Sequence, residues 1–153
     1  MSTVGNAVRH VVRTVGELLI TAGVVLGLFL VWQLWWTDVV AEREQAQEVV
    51  SLTQVFESAP PSTEPVAEPM PGDAFAIIHI PRFGDDFARP VINDTGLDVL
   101  ARGVGHYVGT ALPGEVGNFA VAGHRTTYGA PFNQIAELQP GDPVVIETAT
   151  AFH

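Results

Sequence analysis

His124 is the residue of this chain whose type and place best suit chemistry. It follows the apolar stretch 118–122 and the small Gly123, so it is expected at the end of a buried strand, held by scaffold and open to a cleft. An imidazole exchanges protons near neutral pH because its unperturbed pKa is about 6.5. Acyl transfer to an amine needs such a group, to protonate a leaving amine and to take a proton from an incoming one. By residue type alone, a structural histidine bonded within its loop is the commoner case. The chain holds no cysteine, which removes the thiol nucleophile, the disulfide framework and thiolate metal sites together.

The other candidates carry less. His79, His106 and His124 are widely spaced and form no His-Glu-x-x-His pattern, so neither a metal nor a cofactor is expected. For His106 a packing role outweighs a catalytic one. Asp85 and Asp86, after Gly84, read as a solvated turn rather than a calcium loop. Glu115 follows Pro113-Gly114 and is expected to pin its own loop. Gly103 and Gly105 lead into no long helix, which leaves a dinucleotide loop unsupported. Asn93-Asp94-Thr95 fits a glycosylation sequon, and Arg125 is given no role.

These residues sit in an acidic chain of net charge −10, with 7 arginines, no lysine and 17 acids. Before residue 38 the only charged side chains are Arg9, Arg13 and Glu17; all the remaining acids lie beyond. That balance argues against nucleic acid, which calls for clustered cations, and against docking flat on anionic lipid.

Residues 18–36 form an apolar run without a charge and with one amide, Gln33. Roughly 20 helical residues at about 1.5 Å each span a bilayer core. Arg9 and Arg13 precede the run, acids follow it, and Trp32, Trp35 and Trp36 gather at its far end. The charge rule then puts the N-terminus in the cytoplasm and the remainder outside, as a single-pass protein of the cell membrane. A cleaved signal peptide, with Val39-Val40-Ala41 as its site, is the alternative; the run is long for one, and the bulky Trp cluster sits just before that site. Gly23 and Gly27 have the spacing of a close-packed helix pair and allow a weak dimer.

The expected organisation is a cytoplasmic N-terminus (1–17), a transmembrane helix (18–36), a weakly amphipathic helical stalk serving as a spacer (37–56), a Pro-rich linker (57–72) and a globular part (73–153). In the last, 75–80 and 89–92 read as strands, and Thr95 as the cap of a helical turn over 97–102. The Gly-rich stretch 103–117 reads as loop, 118–122 as a buried strand, and 132–138 as a short helix opened by Pro131. Gln139-Pro140-Gly141-Asp142 is a turn signal, and 143–148 a further strand. Short strands and tight turns suggest a small barrel or sandwich, yet about 80 residues give few strands and little core.

The stretch from His106-Tyr107-Val108-Gly109-Thr110 through Pro113-Gly114-Glu115-Val116-Gly117-Asn118 to Gly123-His124-Arg125 resembles the sortase family, and within it the class E sortases of actinobacteria. Thr126-Thr127-Tyr128-Gly129-Ala130-Pro131-Phe132 continues the resemblance, and Ile80-Pro81-Arg82-Phe83 looks like the family's first strand. The resemblance covers about 73–148. It implies a mostly β fold: an incomplete sortase-type β-barrel with short helices, preceded by the transmembrane helix and stalk. It implies a cysteine transpeptidase that cuts a C-terminal sorting motif (Leu-Ala-x-Thr-Gly in class E) on secreted proteins, holds the new Thr carbonyl as a thioester, and passes it to an amine of a cell-wall precursor. The family's catalytic histidine falls on His124. Its cysteine, in a Thr-Leu-x-Thr-Cys strand, and its oxyanion-stabilising arginine have no match, so the chain is expected to be truncated before both and inactive alone. The alternative from another class is a non-catalytic, membrane-anchored module, a degenerate sortase that only binds peptides or cell-wall assembly partners.

Overall fold

The computed structural model describes residues 2–59 and 68–153. Half of the Pro-rich linker expected over 57–72, residues 60–67, therefore falls outside the described residues, and its first two residues are helical. The chain divides into two units, Met1–Trp36 and Thr37–His153.

The first unit is helical, the opening part of α1 (Ser2–Ser58). α1 contains an apolar window of mean hydropathy 2.2, none of it buried, and is long and apolar enough to cross a membrane. Within it the one hydroxyl, on Thr21, donates to the Glu17 carbonyl at 2.8 Å, so it brings no unpaired donor into an apolar setting. Trp32 and Trp36, one turn apart, stack at 6.1 Å. A methyl group on Gly23 or Gly27 would meet nothing within 4 Å.

The second unit holds the rest of α1 and a mixed five-stranded sheet. Its strands are β1 (Ala74–His79), β2 (Ala88–Asn93), β3 (Val104–His106), β4 (Val121–Ala122) and β5 (Val145–Glu147), in the order β4-β3-β2-β1-β5. β1 runs antiparallel to β2 and β5, β3 antiparallel to β4, and β2 parallel to β3. The parallel step requires a crossover, and the short helix α2 (Leu97–Arg102) makes it. Gly103 and Gly105 let this crossover lie flat: a methyl on Gly103 would come within 2.7 Å of the Pro90 carbonyl, and one on Gly105 within 2.9 Å of Leu100 Cδ2. After β5 a tight turn brings Phe152 back opposite Glu147, and His153 exchanges backbone hydrogen bonds with Ile146.

Strand alternation sends Ala76, Ile78, Val91, Val104 and Ile146 to one face, where with Ile80 they form the core, covered by Phe75, Phe119, Val121, Phe132 and Leu138. Arg82 grips Asp142 through two hydrogen bonds of 2.8 and 2.7 Å, tying the turn after β1 to the turn before β5. That pairing, with a backbone N–H from Gln139, holds the Asp142 carboxyl at a pKa of about 2.

Four expectations need correction. The Gly-rich stretch contains a strand, β3, because its glycines serve close backbone approach to α2 and β2. The strand at 118–122 is reduced to two half-buried residues. The helix expected after Pro131 is a turn followed by one 3₁₀ turn, Ile135–Glu137. The cap of α2 is Gly96 rather than Thr95, with Asp94 Oδ1 accepting from the Gly96 N–H at 3.1 Å. The stalk is also more than a spacer: Ala41, Gln45 and Leu52, 4%, 1% and 8% exposed, make a buried stripe along α1. Helical spacing of three to four residues, or multiples of it, puts them on one side.

Candidate active site

The β3–β4 pairing sets the site. Gly105 faces Ala122 and His106 faces Val121, so the chain leaves the sheet through Gly123 at His124. Gly123 is required there: a methyl group would stand 2.8 Å from the Phe132 ring. The Phe132 N–H donates to the His124 carbonyl at 3.0 Å, which fixes the backbone of His124 against the core.

A turn follows at once. The Ala130 N–H donates to the Thr127 carbonyl at 2.9 Å. Tyr128 and Ala130 have φ of 53° and 39°, the left-handed region that residues with a Cβ rarely adopt. Such backbone persists only where its surroundings hold it. Here α1 does so: Gln45 Nε2 donates to the Tyr128 carbonyl at 2.9 Å, and Asp38 Oδ1 accepts from the Gly129 N–H at 3.4 Å. The turn lays the Tyr128 ring 4.9 Å from the His124 ring. Thr127 Oγ1 lies 3.3 Å from His124 Nδ1. The other ring nitrogen, Nε2, is buried and has no hydrogen-bond partner. A buried nitrogen of this kind is unusual in a folded protein and marks a position available for chemistry.

The three histidines singled out in the sequence are kept apart. His106, 1% exposed, is saturated. Asn93 gives its Nδ2–H to the Pro69 carbonyl at 2.6 Å, so its Oδ1 accepts from His106 Nδ1 at 2.9 Å. His106 Nε2 lies 2.9 Å from the Thr110 hydroxyl and 3.3 Å from the Ala111 carbonyl. The ring stacks on Phe119 at 5.0 Å and meets the edge of Phe75 at 5.6 Å. This is the packing role expected of it, and it also buries the amide of the sequon residue Asn93. His79 pairs with Glu147 at 2.8 Å, away from the core, with β1 and β5 side by side. Among the described residues no three His, Asp or Glu side chains gather to hold a metal.

Glu115 pins its loop as expected, accepting the Leu112 N–H at 2.8 Å. Asp85 and Asp86 lie in an exposed turn closed by the Phe87 N–H to the Gly84 carbonyl at 3.1 Å. Arg125 is exposed.

Sequence reasoning missed three residues around the site. Gln45 carried no signal in a helix read as a spacer. Tyr128 was part of a recognisable run without a role of its own. Arg89 was read only as part of the strand 89–92. It lies over the Phe87 ring at 4.8 Å with its Nε buried and unpartnered. Burial lowers its pKa, and Glu42 and Asp86 partly offset that. Beside the core a groove of about 310 Å³ opens between Ile78, Phe119, Val121, Val144, Ile146 and Leu112.

Comparison with known proteins follows the same stretch of chain. The family model described as a sortase domain matches residues 78–152. Sortase SrtE1 of Streptomyces coelicolor is 42% identical over 146 residues, 89% of this chain and 39% of its own length. Sortase SrtE2 of the same organism is 34% identical over 160 residues, 97% of this chain and 62% of its own length. Sortase E from Streptomyces avermitilis superposes with a TM-score of 0.52 at 49% identity, covering 52% of this chain and 53% of that one. The SrtF sortase from Corynebacterium diphtheriae superposes with a TM-score of 0.57 at 46% identity, covering 61% and 45%. The chain thus spans less than two thirds of the length of each of these relatives.

Proposed function

Because the chain belongs to the sortase family, with similarity to its class E members, we propose that it supplies the histidine side of a transpeptidase site, with His124 as the proton-transfer residue. The observation that carries this reading is the environment of His124. It leaves the sheet at a fixed backbone position, and its Nε2 is committed to no other group.

The reaction has two halves. A thiolate attacks the Thr carbonyl of a sorting motif, the Thr–Gly bond breaks, and His124 gives its proton to the departing amine. A cell-wall amine then attacks the thioester, and His124 takes the proton that this amine loses. The 153 residues hold no cysteine. The thiol and the oxyanion-stabilising cation therefore come from sequence beyond them, in the part of the relatives' length that this chain does not span. α1 anchors the site to the cell membrane with the sheet outside, a reading supported by Arg9 and Arg13 before the apolar run and the acids after it. The lack of a thiol favours a second reading for these residues taken alone, a membrane-anchored peptide-binding module.

Cleavage of a Leu-Ala-x-Thr-Gly peptide by the protein as its gene encodes it distinguishes the two. His124→Ala is expected to lower kcat/KM by at least about 100-fold, the usual worth of a positioned acid–base group. Cleavage that survives the substitution would remove His124 from the mechanism, and no cleavage by the unsubstituted protein would favour the binding module.

A further inference from the structure

The nitrogen that His124 has free for a substrate is buried, and the turn that follows His124 is tied to α1. His124 Nε2 is buried without a partner, and the Tyr128 ring lies 4.9 Å from the imidazole. Tyr128 is held in a left-handed conformation, φ 53°, with Gln45 Nε2 donating to its carbonyl at 2.9 Å. The turn lies close to α1: a methyl on Gly129 would stand 3.3 Å from Glu42 Cγ and 3.5 Å from both polar atoms of the Gln45 amide. Gln45 itself is 1% exposed, and its Oε1 has no partner. A buried amide that leaves its acceptor unpaired, in order to hold a strained carbonyl, is placed for that one contact rather than for stability.

We propose that Gln45 is a positioning residue for His124: its hydrogen bond to the Tyr128 carbonyl latches the Tyr128 ring over the imidazole, and release of this latch is what opens Nε2 to a peptide substrate. The proposal rests on the reading of His124 as the proton-transfer residue. It makes the segment of α1 beyond the apolar run part of the working site. Letting go of Gln45 frees Tyr128 and Ala130 to leave the left-handed region, so the open arrangement is accessible without disturbing the sheet.

Carbethoxylation by diethyl pyrocarbonate reads the opening directly, because the reagent modifies accessible, unprotonated imidazoles. Rates at each histidine of the protein as its gene encodes it, in detergent micelles at neutral pH, are followed by mass spectrometry. Gln45→Met keeps the reach of the side chain and removes the donor together with the orphaned acceptor, so it is expected to fold. It should raise the rate at His124 about tenfold, the effect of losing one buried hydrogen bond, and leave the buried His106 as slow as before. Tyr128→Gly should expose His124 by itself, and Gln45→Met added to it should change nothing further. An unchanged His124 rate in Gln45→Met would overturn the latch. So would an equal rise at His106, or a further tenfold rise in the double variant. The assay needs no cleavage, so a failed latch and a failed proton-transfer role give separate results.

Discussion

His106 ends β3 and His124, 18 positions on, follows the neighbouring strand β4, yet the molecule treats them in opposite ways. His106 lies inside the sheet with both ring nitrogens bonded and an aromatic ring stacked on it. His124 sits past the end of β4 beside a strained turn, with one nitrogen loosely bonded and the other unpaired. The first arrangement spends the whole bonding capacity of the imidazole on structure. The second leaves part of it unused, at the expense of a buried unpaired atom and two left-handed residues. The proposed role of His124 accords with this difference: the ring assigned to chemistry is the one whose bonding is left incomplete.

Substitution sharpens this contrast most strongly at His106. His106→Ala empties a packed aromatic site and leaves Asn93 and Thr110 without their partner, and should destabilise the chain by about 4 kcal/mol. His124→Ala discards a nitrogen that was already unsatisfied and should alter stability by less than about 1 kcal/mol. Urea unfolding of the two variants checks both, and equal losses would erase the distinction.

Removal of the stalk comes next. Residues 37–153 and residues 68–153 differ by the buried stripe of Ala41, Gln45 and Leu52, and the shorter fragment should be less stable by about 3 kcal/mol, the worth of one large and one small apolar side chain taken from water. A sharp thermal transition of residues 68–153 at the same temperature as the longer fragment would show that the stalk adds nothing. The smallest effect belongs to the Arg82–Asp142 clip. The carboxyl of Asp142 is lowered from 3.8 to about 2, so its contribution is fully present above pH 3.8 and disappears as pH falls through about 2. The Arg82 side of the pair is exposed to solvent, so the attraction is screened by salt. Asp142→Asn should melt slightly below wild type at pH 6, with the gap closing toward pH 2; a gap independent of pH would show that the carboxylate charge is not what stabilises the clip.

Much of the fold was readable where local signals agree with tertiary ones. β1 and β2 announce themselves by β-branched residues next to prolines, α2 ends at Gly103, and Gln139–Asp142 turns as its Pro-Gly pair demands. β3 was hidden because Gly103 and Gly105 look like loop residues, and only the proximity of Pro90, Asp94 and Leu100 explains them. The packing of α1 was hidden for another reason: its stripe includes a glutamine and an alanine, which carry no hydrophobic signal. At the site, resemblance to a family singled out His124, and the pattern Thr127-Tyr128-Gly129-Ala130-Pro131 held the signal of a turn. Nothing in a single sequence links Gln45 to Tyr128, 83 positions away.

The central claim is that these residues form the histidine side of a sortase site completed by sequence beyond them. The most direct test is to read the gene past the codon for His153. The account predicts an open frame that encodes a Thr-Leu-x-Thr-Cys strand and, after it, an arginine. A genuine stop at that point, or a continuation without cysteine, would contradict it and leave a peptide-binding module of sortase ancestry.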